Sequence, residues 1–92
     1  MNVLTEEEIA TQLGGVPAWE REGGSIVMTV TRADFRDALL YVGAVAFLAE
    51  AANHHPDIAI SWNKVTLTLS THSAGGLTGA DFALAGQISR LA

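Results

Sequence analysis

The side chains best suited to chemistry are concentrated in one stretch of this sequence. Its three histidines, His54, His55 and His72, all lie between positions 54 and 72, with Glu50 just before them and Asp81 just beyond. Imidazole has an unperturbed pKa of about 6.5, so it both gives and takes protons near neutrality. A carboxylate one helical turn earlier, Glu50, can orient His54 and favour its protonated form, as can the negative end of a helix dipole. Acid–base catalysis is therefore the leading chemistry. Three unrelated surface histidines would be the plainest alternative. A metal site is disfavoured, because His55 and His72 find no His-x-x-x-His or cysteine spacing to supply further ligands, and adjacent His54 and His55 should point different ways. A Ser–His hydrolase using Ser70 or Ser73 lacks a nucleophile elbow and an oxyanion loop.

Such a site needs an element that gathers the histidines. Ile58 to Trp62 and Val65 to Thr71 are rich in β-branched residues and flank Asn63-Lys64, which predicts a hairpin with a two-residue turn there. Trp62 then pairs with Val65, Ile60 with Leu67 and Ile58 with Leu69, while Ser61, Ala59 and Asp57 face Thr66, Thr68 and Ser70. That register separates apolar from polar pairs, and extending it places His55 opposite His72. Pro56 disfavours helical geometry at His55, so the preceding helix should stop near Asn53-His54.

The rest of the chain supplies the frame. Thr5 with Glu8, Thr31 with Asp34, and Thr78 with Asp81 repeat the spacing of a capping box, predicting helix starts for segments at about 5–13, 32–53 and 79–91. Capping is the first reading of Asp81. Gly14-Gly15 suggests a left-handed exit from the first helix. Ala18 to Glu22 and Ser25 to Val30 flank Gly23-Gly24 and read as another hairpin, with Ile26, Met28 and Val30 on one face. Gly75-Gly76 permits a tight connection after the last strand, and leaves room for a flat ligand beside His72. The expected class is α+β, in the order αββαββα, with a four-stranded antiparallel sheet and three helices packed on one face.

The second helix is apolar on more than one side. Phe35, Leu39, Val42 and Ala46 form one stripe, and Leu40, Ala44, Phe47 and Leu48 another. One sheet cannot cover both, so a helix–helix contact between subunits is expected. Trp19 and Trp62 read as core or interface aromatics.

Composition narrows the function classes. The 92 residues are 49% apolar and 16% charged, enough for a single domain over 1–92 with one core, though marginal for a free monomer. No cysteine is present to brace it, which again points to a homo-oligomer. Ten acids against five scattered bases leave no phosphate-binding stripe, so nucleic-acid binding is not expected. The longest run free of both charge and histidine, Ala38 to Ala49, is too short for the roughly 20 residues of a membrane span. Met1-Asn2-Val3-Leu4-Thr5 runs into glutamates rather than resembling a signal peptide, and a cytoplasmic location is expected.

Glu50-x-x-x-His54-His55-Pro56, followed by Trp62-Asn63-x-Val65-x-Leu67-x-Leu69-Ser70-Thr71-His72, resembles the signature of the pterin-4a-carbinolamine dehydratases. The likeness continues through Ala74-Gly75-Gly76-Leu77-Thr78 and Asp81, and more loosely back through Ala49, Val45-Ala46, Ala38 and Phe35 to Trp19. It implies the αββαββα fold and removal of water from a 4a-hydroxytetrahydropterin, made by aromatic amino-acid hydroxylases, to give quinonoid dihydropterin during tetrahydropterin recycling. No metal is implied, and no cofactor separate from the pterin substrate. The implied catalytic residues are His54, His55 and His72. The implied pterin-binding segments are His54, His55, Pro56 and Thr71, His72, Ser73, Ala74, with Glu50 and Asp81 completing the substrate-binding set. The resemblance further implies a homodimer or homotetramer, assembled through sheet edges and helix two, with an aromatic amino-acid hydroxylase as functional partner. Asn53 and Ile58 depart from the animal pattern, which more often has an acidic residue and an aromatic one at these places. Some animal relatives also serve as dimerisation partners of a transcription factor, a role nothing in this sequence supports. The rival functions are a non-catalytic pterin-binding or dimerisation module on the same fold, and a catalyst for another pterin, such as one linked to molybdenum-cofactor metabolism.

Overall fold

A computed structural model describes residues 2–91; Met1 and Ala92, the ends of the expected 1–92 domain, lie outside them. The elements are α1 (Glu6–Leu13), β1 (Glu20–Glu22), β2 (Ser25–Thr31), α2 (Phe35–Ala52), β3 (Asp57–Ser61), β4 (Lys64–Leu69), a 3₁₀ turn at His72–Ala74, and α3 (Gly79–Ser89). All strand pairs are antiparallel, in the order β1-β2-β4-β3. The αββαββα order and the four-stranded sheet are as expected.

The alternation in β2 and β4 decides which face is covered. Ile26 pairs with Leu69 and Met28 with Leu67 across the two central strands, and all four side chains are buried with Val65. They pack against Ala38, Tyr41, Val45 and Ala49 of α2 and Phe82, Leu84, Ala85 and Ile88 of α3. Apolar side chains from sheet and helices thus share one core, the arrangement that period-two and period-3.6 patterns allow together. Trp19 closes it at one end, its indole N–H donating to Ser89 Oγ at 3.0 Å.

The helix starts follow local capping, with one difference. Thr5 and Glu8 form a capping box on α1, and Thr78 and Asp81 form one on α3. At α2 the cap is Asp34 itself, whose side chain accepts from Asp37 N–H. Thr31 is instead the last residue of β2, because strand pairing with Lys64 holds it extended. Asp37 also accepts from Ala33 N–H and from Arg32. These bonds hold its carboxyl below the usual range, so their contribution to stability persists into acid and is lost as pH falls through the lowered pKa.

Three further expectations need correction. Gly14 leaves α1 in the right-handed region, because successive bonds from Gly14, Gly15 and Val16 back to Thr11, Gln12 and Leu13 tighten the last turn and deliver Val16 into the core. On α2 the buried stripe is Ala38-Tyr41-Val45-Ala49, neither of the two stripes expected. Small alanines let the helix approach the sheet, while Phe35, Leu39, Leu40 and Phe47 face outward.

The second hairpin also turns two residues away from the expected pairing. Its loop is Trp62-Asn63, with Ser61 opposite Lys64, Ile60 opposite Val65 and Ile58 opposite Leu67. Asn63 fixes this turn: its side chain donates to Arg32 O at 3.0 Å, and its carbonyl accepts from Arg32 N–H at 2.7 Å. Trp62 consequently takes a left-handed φ of 52° and lies 64% exposed, outside the core. A shift by two preserves which face each side chain occupies, so the apolar sorting survives. It does not preserve who faces whom, and His55 does not stand opposite His72.

Candidate active site

The site grows from the end of α2. Asn53 adopts the left-handed conformation, φ 49° and ψ 44°, which asparagine tolerates better than most residues. Asn53 N–H donates to Glu50 O at 3.2 Å and His54 N–H to Ala49 O at 3.1 Å, the paired bonds of a Schellman ending. This gives a structural use to one departure from the animal pattern. The reversal sends His54 and His55 to different partners.

His54 Nε2 lies 2.5 Å from Asp81 Oδ1. Its side chain is 15% exposed, and that of Asp81 is fully buried. The carboxylate sits in the first turn of α3, where the positive end of the helix dipole favours an anion. Its second oxygen accepts from Thr78 N–H at 2.9 Å and from Thr71 Oγ1 at 2.8 Å. The Thr71 and Thr78 hydroxyls are themselves 2.8 Å apart. Asp81 therefore fills both roles, capping α3 with one oxygen and holding His54 with the other. In doing so it joins the exits of α2 and β4 to the start of α3.

Glu50 is bound to His55, not to His54: His55 Nε2 and Glu50 Oε2 are 2.6 Å apart, on exposed side chains. The spacing rule that favoured His54 assumes a continuing helix, and Asn53 ends it. His72 follows Thr71 directly and opens the 3₁₀ turn with Ser73 and Ala74. Thr71 is pinned by Gly76 in an isolated bridge, and Gly75 takes the left-handed φ of 80° that closes the turn. The His72 side chain is exposed and has no hydrogen-bond partner among the described residues. Pro56 is half-buried between His55 and β3.

The structure thus links His54, Asp81 and Thr71 in one network, pairs Glu50 with His55, and sets His72, Ser73 and Ala74 on the turn that Thr71 anchors. Two surface concavities lie elsewhere, one along α1 beside Glu8 and one on the outer sheet face beside Val27, and the histidines line neither. Among the described residues no three His, Cys, Asp or Glu side chains are grouped to hold a metal ion. Thr78 is the residue sequence reasoning placed only as a cap. Its hydroxyl belongs to the buried network, and the sole hint in the sequence was its capping-box spacing from Asp81.

Comparison with known proteins places the chain in a family. The family model described as Pterin 4 alpha carbinolamine dehydratase matches residues 2–91. A protein of Roseiflexus castenholzii named "Putative pterin-4-alpha-carbinolamine dehydratase" is 54% identical over 89 residues, spanning 97% of this chain and 96% of its own. One of the same name from Nocardia farcinica is 54% identical over 90 residues, spanning 98% and 95%. A crystal structure from Brucella melitensis, described as a transcriptional coactivator/pterin dehydratase, superposes with a TM-score of 0.90 at 31% identity over 95% of both chains. A pterin dehydratase-like protein described as a RuBisCO assembly factor in the alpha-carboxysome shares the fold, with a TM-score of 0.62 at 19% identity over 77% of this chain and 82% of its own. By sequence and by fold, the chain belongs to the pterin-4-alpha-carbinolamine dehydratase family.

Proposed function

We propose that the protein removes water from a 4a-hydroxytetrahydropterin, giving quinonoid dihydropterin for tetrahydropterin recycling in the cytoplasm. The observation that carries this reading is the Asp81 pivot, which fixes His54 at the end of α2 and Thr71, the neighbour of His72, at the end of β4. The elimination requires a proton for the departing 4a-hydroxyl and removal of the N5 proton, with the electrons of that N–H bond forming the C4a–N5 double bond. Two imidazoles at one site supply both transfers. We assign these to His54 and His72, and assign His55, steadied by Glu50, to holding the pterin. We assign Pro56, Ser73 and Ala74 to the pterin-binding segments beside them. No covalent intermediate is needed, and the reaction uses no cofactor beyond the pterin.

The test is a stopped-flow measurement of the 4a-hydroxy intermediate released by an aromatic amino-acid hydroxylase. Added protein should accelerate its loss. Protection by a pterin in a thermal-shift titration without acceleration would support the rival, a non-catalytic pterin-binding or dimerisation module. That second reading has an observation of its own, since the Brucella relative is described as a coactivator as well as a dehydratase.

Self-association belongs to either reading. Leu40 and Phe47 are 63% and 65% exposed on the outer side of α2, and β3 is an exposed edge that presents Ile58 and Ile60. Complete burial of such a side chain contributes about 1.5–3 kcal/mol, and these part-exposed ones stand to gain a fraction of that against a second copy. Phe47→Glu is expected to shift the protein from dimer or tetramer to smaller species in analytical ultracentrifugation, with little change in its circular dichroism.

A further inference from the structure

The buried hydroxyls behind Asp81 have a direction. Ala80 N–H can only donate, and it reaches Thr78 Oγ1 at 3.2 Å. Thr78 has one hydroxyl proton, and its neighbour among these bonds is Thr71 Oγ1. Thr71 likewise has one, directed to Asp81 Oδ2. Donation therefore runs Ala80 to Thr78 to Thr71 to Asp81, joined at the same oxygen by Thr78 N–H. Run the other way, the chain would need a proton on Asp81 Oδ2, already facing the Thr78 amide, and would strand the Thr78 hydroxyl proton at a fully buried residue. Every buried polar side-chain atom among the described residues has a partner, and only the first direction also gives the Thr78 hydroxyl proton an acceptor.

Resting on the dehydratase reading for its catalytic meaning, we infer that Thr71 and Thr78 are positioning residues that set the tautomer of His54. Oδ2 is taken up by two donors, so Oδ1 is the oxygen left for His54, and we place the proton between the pair on His54 Nε2. That leaves Nδ1, which has no partner among the described residues, as the ring nitrogen with a free lone pair to take a proton. Without the hydroxyl chain, Asp81 could take that proton or accept it from either state of the ring, and the imidazole would lose its fixed polarity.

Nitrogen chemical shifts of the His54 ring, read by long-range proton–nitrogen correlation, test this without pterin. The wild type should show the Nε2–H tautomer. Thr71→Val keeps the branched shape and removes the donor; it should give a mixed tautomer and lower kcat about tenfold with KM nearly unchanged. Thr71→Ser should restore the wild-type spectrum. Thr78→Val, one step further back, should show the same change in smaller measure and serves if Thr71→Val does not fold. A folded Thr71→Val or Thr78→Val with the wild-type ring spectrum would overturn the inference. The ring spectrum judges the hydroxyl chain even if no turnover is found, and wild-type turnover judges the dehydratase reading whatever the spectrum shows.

Discussion

His72→Ala should slow the dehydration by about 10²–10⁴-fold, the usual contribution of a positioned acid or base, while leaving the fold intact. The second half of that expectation gives the experiment its power. His72 is exposed on its turn and bonded to no described residue, so its removal should change stability by no more than about 0.5 kcal/mol. A large loss of rate with an unchanged melting curve assigns the effect to chemistry. His54→Ala should cost a similar factor in rate, but it also removes the donor to Asp81 and should lower the melting temperature. His55→Ala should act mainly on KM, because His55 is held at the surface by Glu50 and has no link to the buried network. Steady-state kinetics and thermal melts of the three variants separate these roles.

Asp81→Ala should be the most destabilising single change at the site. The carboxylate is the shared acceptor for His54 Nε2, Thr71 Oγ1 and Thr78 N–H, and it completes the α3 capping box. Deleting it strands buried donors at about 1–3 kcal/mol apiece and loses a cap worth about 1 kcal/mol. The donors relax together, so the expected total is about 3–5 kcal/mol. In a domain of this size the whole unfolding free energy is about 5–14 kcal/mol, so urea unfolding should show a midpoint moved far toward zero. Asp81→Asn retains one acceptor oxygen and should cost about 1–3 kcal/mol. It should still lose most activity, because an amide cannot hold the His54 tautomer as a carboxylate does. Equal stability for Asp81→Ala and wild type would mean that the network contributes nothing to holding the three elements together.

The sequence reading succeeded where local rules dominate. Helix starts at Thr5 and Thr78 follow from a hydroxyl and an acid three residues apart, and Gly23-Gly24 set the first hairpin as read. The second hairpin went astray because its turn is decided from outside: Asn63 is bound by Arg32, which lies at the end of another strand. No rule confined to residues 58–71 contains that fact. The site shows the same division. That three histidines belong to one region was visible from their spacing, but the partner of His54 was not, because Asp81 lies on a different helix. Glu50 was assigned to the nearer histidine by helical periodicity, and the left-handed Asn53 broke that periodicity one residue too soon. On α2, the outward apolar residues were read correctly as surplus. Which stripe faced inward was not, because packing against a sheet selects for small size as much as for hydrophobicity.

The central claim is that His54 and His72 serve one elimination on one pterin, and their coupling measures it. Stopped-flow decay of the 4a-hydroxy intermediate should be compared among wild type, His54→Ala, His72→Ala and the double variant. Residues acting as a unit give losses that do not multiply, so the double variant should be about as slow as the slower single one. Wild-type decay no faster than the uncatalysed reaction, or single losses that multiply fully in the double variant, would contradict the account.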